Sequence, residues 1–177
     1  MSALTDRMLR AARLDVNLYE EVEADTNTMG QATTVVVLAS LAAGIGSFSQ
    51  GGIVGMIVLT LGTLLGWYVW AYLTYFIGTR MLAEPQTKAD LGELLRTIGF
   101  SSSPGLIRVL GIVPALSQLV FFVAGVWMLV AMIIAVRQAL DYTSTWRAIA
   151  VCVIGWVVQT LLLVLLFLAL GVPAPPT

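Results

Sequence analysis

Hydrophobic positions along this chain form long unbroken blocks, and the polar positions gather between them. A helix needs about 20 mostly apolar residues to cross a hydrocarbon core about 30 Å thick. Five blocks approach or meet that length, at residues 31–48, 53–78, 98–116, 118–136 and 148–170. Only a few residues separate the first block from the second and the third from the fourth. Links that short predict antiparallel helical hairpins within one compact bundle. Two polar stretches also carry helical periodicity. "LTDRMLRAAR" sets Leu4, Met8, Ala11 and Ala12 on one side, and "TKADLGELLRTIGF" repeats Leu91, Leu94, Leu95 and Ile98 at helical spacing. Thr87 is the expected cap of the second, with Asp90 three residues on. Both are expected to lie flat at the membrane interface on the cytoplasmic side.

The third block departs from the pattern. "GFSSSPGLIRVLGIVPAL" (99–116) holds three serines, two prolines, two internal glycines and Arg108. From residue 104 to 116 there is only about 20 Å of α-helix, too short to cross alone. Pro104 suits the first turn of a helix, with Ser102 or Ser103 as its cap, and Pro114 is expected to kink or end that helix at the far side. The expected feature is a structural corner made by Ser102, Ser103, Pro104, Gly105 and Pro114. The rival is a broken helix whose freed ends hold a solute, as in a small permease or lipid transporter.

Composition makes the bilayer the solvent. Of 177 residues, 59% are hydrophobic and 11% charged, against roughly 25% charged in a soluble domain. Residues 1–30 carry nine charges and no apolar core, so no signal peptide is read there. Lys and Arg then orient the chain. Three lie in the N-terminal segment, three between residues 80 and 97, and two between 137 and 147, while the opposite connections have none. The positive-inside rule therefore predicts a cytoplasmic N-terminus and, with five spans, a C-terminus on the other side. The ninth cation, Arg108, is expected near the cytoplasmic end of the third block, where its stem reaches a lipid phosphate.

Little in the sequence supports chemistry. Histidine is absent, and Cys152 is the single cysteine. The commonest metal ligand and general base are thus missing, and no cofactor is expected. All ten carboxylates lie outside the apolar blocks, so the acidic groups of ion-coupled transporters and of aspartate-pair proteases are not in place. Ser101, Ser102 and Ser103 have no histidine base. A net charge of −1 argues against nucleic acid as a partner. In "GWYVWAYLTYF" (66–76), Tyr68, Tyr72, Tyr75 and Phe76 share one helix face and Trp67 with Trp70 another, a packing and interface pattern. Gly62 and Gly66 form a GxxxG spacing that signals helix contact.

"LGELLRTIGFSSSPGLI" running into "LGIVPAL", the second span "GWYVWAYLTYFIGTRML" and the closing span around Trp156 together resemble the Yip family. These are polytopic membrane proteins named for interaction with Ypt/Rab GTPases, and the likeness covers about residues 15–170. It implies an all-α bundle of five transmembrane helices with a cytoplasmic N-terminus. Eukaryotic members bind Rab GTPases through a longer polar N-terminal domain. Only about 30 residues precede the first span here, so the chain looks like the short prokaryotic members and a Rab-type partner is not expected. The family has no catalytic residues to carry over. Eight Arg against one Lys, with much Ala, Val, Leu and Gly, points to a GC-rich bacterial genome. The expected organisation is a cytoplasmic segment at 1–30, a membrane domain at 31–170 and a Pro-rich non-cytoplasmic tail at 171–177. The expected role is non-enzymatic: membrane organisation, or accessory subunit or assembly factor of a larger complex in the bacterial inner membrane. Its partners would be the bilayer and other membrane subunits.

Overall fold

The structure is a computed structural model that describes residues 3–169; the tail expected at 171–177 lies outside them. The described residues form seven α-helices joined by shorter helical turns. They are α1 (Ala3–Ala12), α2 (Val16–Ala24), α3 (Met29–Gly46), α4 (Phe48–Phe76), α5 (Leu91–Ser101), α6 (Pro114–Ala139) and α7 (Thr145–Ala169). A 3-10 helix, Ser103–Ile112, joins α5 to α6, and a π-helical turn, Ile77–Met81, ends α4. The fold class is all-α, as the patterning predicts. Four helical runs are long and apolar enough to cross a membrane, namely Thr26–Gly46, Phe48–Met81, Pro114–Ala139 and Thr145–Leu162. The 3-10 helix is the short apolar exception.

Glycine and Asp90 explain two helix starts. α4 is broken near its beginning by Gly52 at φ 57°, ψ −155°, a conformation that only glycine adopts without strain. The continuous span therefore begins at Ile53, where the apolar block begins. At α5 the cap is Asp90, not Thr87. The Asp90 carboxylate accepts from the Glu93 N–H, and the Glu93 side chain accepts from the Asp90 N–H, closing a capping box. The Thr87 hydroxyl instead donates to the Leu140 carbonyl, tying this loop to the one after α6. Arg147 pairs with Glu84 at 3.0 Å in the same loop cluster.

α5 does not lie flat at an interface. In α5 every residue from Leu94 to Ser101 is buried, because α2, α3, α4 and α6 all pack on it. Helical spacing of leucines cannot distinguish a helix with one wet face from one whose small polar residues also face protein. α1 rests Ala11, Leu4 and Met8 on a cluster containing Val35, Phe100 and Ala135. Its arginines are spent on α2: Arg7 and Arg10 both pair with Glu21, and Arg10 also pairs with Asp15 at 2.8 Å. The buried Arg96 side chain of α5 completes the dock. Its Nε donates to the Val22 carbonyl at 2.9 Å and its Nη2 to that of Glu23, the last turn of α2. A guanidinium there satisfies orphan carbonyls and complements the negative helix end.

α3 and the composite α5–3-10 run lie side by side and point the same way. Small residues make this possible. A Cβ placed on Gly99 would stand 2.9 Å from the Ala32 Cβ, one on Gly105 3.5 Å from the Ala39 Cβ, and one on Gly111 3.0 Å from the Gly46 carbonyl oxygen. From Ala32 to Gly46, α-helix rises about 21 Å. From Gly99 to Gly111 an α-helix would rise about 18 Å, whereas the 3-10 geometry extends it to about 23 Å. The tighter helix lets twelve residues keep pace with fourteen. The Gln50 side chain in the turn after α3 donates to the Ser117 hydroxyl at the start of α6, joining the far ends of the bundle.

This contact predicts a contrast between two α3 glycines. A Cβ on Gly46 would meet the Arg108 carbonyl oxygen at 1.9 Å, while one on Gly30 meets nothing within 4 Å. Gly46→Ala is expected to cost about 1–3 kcal/mol through forced backbone displacement. Gly30→Ala is expected to be neutral or slightly stabilising, by up to about 1 kcal/mol. Thermal unfolding of both variants in mild detergent checks the pair.

Candidate functional site

The "SSSPG" corner is where α5 passes into the 3-10 helix, and its serines act opposite to expectation. Neither Ser102 nor Ser103 accepts a capping bond at the start of the 3-10 helix. Their hydroxyls donate backwards instead: Ser101 and Ser102 to the Ile98 carbonyl at 2.8 and 3.3 Å, and Ser103 to that of Phe100 at 2.8 Å. The physical reason is the demand at this point. α5 ends inside the bundle, where its last carbonyls meet no water, so the serines supply donors for them. Pro104 stands in the first turn of the 3-10 helix, where its missing N–H is harmless, and Gly105 packs against Met128 and Ala39. Pro114 ends this helix rather than kinking it, the 3-10 run stopping at Ile112. Val113 is extended, and Pro114 opens α6 four residues earlier than the apolar block suggests.

Beside the corner is a cavity of about 580 Å³, lined by α3, α4, α5, the 3-10 helix, α6 and α7. Arg108 reaches into it. The sequence places Arg108 at the cytoplasmic end of its block, but the structure puts its backbone against Gly46, the end of α3 farther from the α1–α2 hairpin. The cation sits 5.6 Å from the centre of the Phe121 ring. Its Nε is buried and has no hydrogen-bond partner among the described residues. Two further buried polar atoms there also lack partners, Trp70 Nε1 and Gln159 Oε1, and both residues line the same cavity. Sequence reasoning passed over Gln159, a lone amide in the last span. It treated Trp70 as packing alone.

Of the outer aromatic face expected in α4, Tyr75 departs, packing partly buried against the same core cluster as Trp67 and Trp70. Tyr68, Tyr72 and Phe76 are exposed on the outside of the bundle. Trp67 and Trp70 face the cavity, and Trp67 donates to the Leu95 carbonyl at 3.2 Å. The GxxxG pair is corrected. A Cβ on Gly62 or Gly66 would meet nothing within 4 Å, and both line the cavity, so they make no close helix contact among the described residues. The close contact in this hairpin belongs to Gly44, whose added Cβ would lie 2.1 Å from the Thr60 hydroxyl.

With the corner, the small-residue contact and the docked hairpin in view, the comparison with known families is decisive. The family model for the Yip1 domain matches residues 19–167. The chain belongs to the Yip1 family. No curated protein and no solved structure matches it. The Yip1 match takes in α2 as well as the spans, in keeping with a hairpin that packs as part of the bundle.

That hairpin gives this Yip1 protein a pH-sensitive face. The Arg10 guanidinium holds the Asp15 and Glu21 carboxyls below their usual range. Glu23 goes the other way. Burial, helped by Asp141, Glu93 and Glu20, pushes it up to about 7, and Arg96 only partly opposes this because it bonds the Glu23 backbone carbonyl. A carboxyl whose folded pKa is raised favours the fold while protonated, so its contribution is lost as pH rises from about 4.5 to about 7. Glu23→Gln is therefore expected to raise the melting temperature in detergent at pH 8, with the gain shrinking towards pH 4.5. A gain of equal size at both pH values contradicts the assignment.

Proposed function

We propose that this protein is a non-enzymatic Yip1-family component of the bacterial inner membrane, with its N-terminus cytoplasmic and its C-terminus periplasmic. Its role is to organise membrane or to serve as an accessory subunit or assembly factor of a larger membrane complex. The observation that carries this reading is the α1–α2 hairpin. It is folded onto the spans by Arg96, by the Trp127 indole bond to the Ala12 carbonyl and by Gln138 to Glu20, and so forms a pre-ordered cytoplasmic platform. Lys and Arg outside the apolar blocks all fall on that side. The composite 99–112 run, parallel to α3, supplies the fifth crossing in this topology. Partners are the bilayer and other membrane subunits; a Rab-type GTPase and nucleic acid are not among them.

A second reading, a small permease or lipid transporter, is favoured by the cavity around Arg108. Affinity purification of the full chain in mild detergent tests the first reading and is expected to retain one or more membrane subunits. A chain that purifies alone yet supports saturable flux in proteoliposomes favours the second.

Topology is checked separately. A reporter fused after Thr177 is expected to behave as periplasmic, and one inserted near Gln86 as cytoplasmic. A cytoplasmic C-terminal reporter would make the 99–112 run re-entrant.

A further inference from the structure

We propose that the cavity beside the "SSSPG" corner binds the phosphodiester headgroup of a singly anionic phospholipid, with Arg108 as its charge partner. The inference rests on the cavity that also favours the transporter reading, but it concerns occupancy and requires no movement of the ligand.

The lining selects the charge. Arg108 is the only ionisable residue among those lining the cavity. No ion pair or hydrogen bond among the described residues engages its guanidinium, and Nε is fully buried. A cation in such a place calls for an anion, and the described residues do not provide one. The neighbouring donors narrow the class. Ser101, Ser102 and Thr63 also line the cavity, but their hydroxyl protons are already given to backbone carbonyls. Among the fully buried donor atoms of the lining, the Trp70 indole N–H and the Arg108 Nε–H are the ones without acceptors. An oxyanion with several acceptor oxygens and one net charge fits them, and the free Gln159 carbonyl oxygen can accept from a headgroup hydroxyl.

The walls indicate the rest of the molecule. Val36, Ile98, Met128, Leu129 and Met132 make much of the lining apolar. Around Gly62, Gly66 and Gly125 the space is open, since a Cβ on any of them would meet nothing within 4 Å. Beyond Gly155 no described side chain of α7 is fully buried, and Trp156, which lines the cavity, is 64% exposed. Through the exposed Trp156 the cavity thus opens at the surface of the bundle, towards the medium in which acyl chains reside. A soluble phosphate would use the donors and leave these walls bare.

The test titrates the full chain in non-ionic detergent with phosphatidylglycerol carrying brominated acyl chains. The readout is quenching of the cavity tryptophans Trp67, Trp70 and Trp156. The expected result is a saturable component at about one lipid per chain. Brominated diacylglycerol, which lacks the phosphate, is expected not to produce it, and inorganic phosphate is expected not to displace it. Arg108→Gln should weaken it by at least about tenfold, with Arg108→Lys intermediate, because lysine keeps the charge without the fork. Gly125→Leu fills open space, so it should melt like the parent yet lose the saturable component. This variant decides the matter if Arg108→Gln does not fold. Equal binding of diacylglycerol, displacement by inorganic phosphate, or full binding by folded Gly125→Leu would overturn the proposal. Binding without flux in proteoliposomes would confirm the site and remove only the transporter reading.

Discussion

The close parallel approach of α3 and the α5–3-10 run is the constraint on which the rest of the bundle depends. Backbone meets backbone there at Ala32 with Gly99 and at Gly46 with Arg108 and Gly111, and between them Gly105 faces the Ala39 methyl. Seven-residue spacing on α3 keeps its small residues on one stripe, and the 3-10 geometry stretches its partner to match. No side chain fits between them, so the large ones are directed elsewhere. Arg108 has its carbonyl against α3 and its guanidinium in the cavity, with Phe121 alongside. A break in helix geometry at membrane depth needs internal donors for the carbonyls it frees. The three serines of the corner provide them.

At the other end of the bundle, Arg96 plays a comparable part. Its guanidinium is buried against the closing turn of α2, so the N-terminal hairpin is held by hydrogen bonds that water does not reach. The partly buried, solvent-accessible pairs of Arg7 and Arg10 with Glu21 and Asp15 fix how α1 and α2 meet, but pairs within reach of water contribute only about 0–1 kcal/mol each. The buried guanidinium is the stronger tie. Losing it would leave carbonyls without donors inside a packed interface.

Much of the fold was legible in the sequence. Block lengths marked the four long spans, and the second block begins where α4 becomes continuous after Gly52. What stayed hidden depended on tertiary surroundings. The direction of the serine bonds follows from where α5 ends, which spacing does not encode. The leucine periodicity of α5 reads the same whether its polar residues face water or protein. The Gly62–Gly66 pair carries a contact signature, yet among the described residues it borders the cavity. Arg108 had to be assigned to an end of its block by counting residues, and the 3-10 stretch carried it toward the other. The cavity residues Trp70 and Gln159 had no local signal; only their unpartnered atoms in one space single them out.

The register between α3 and the 3-10 helix is the central claim, and disulfide trapping reads it directly. In a Cys152→Ala background, Ala39→Cys combined with Gly105→Cys places the two Cβ atoms about 3.5 Å apart, within the range a disulfide spans. Mild oxidation is expected to close this bridge efficiently in native membranes, whereas Ala39→Cys with Gly111→Cys is expected to stay reduced. A bridge from position 39 to position 111, or none from 39 to 105, would contradict the parallel packing and with it the placement of Arg108 in the cavity.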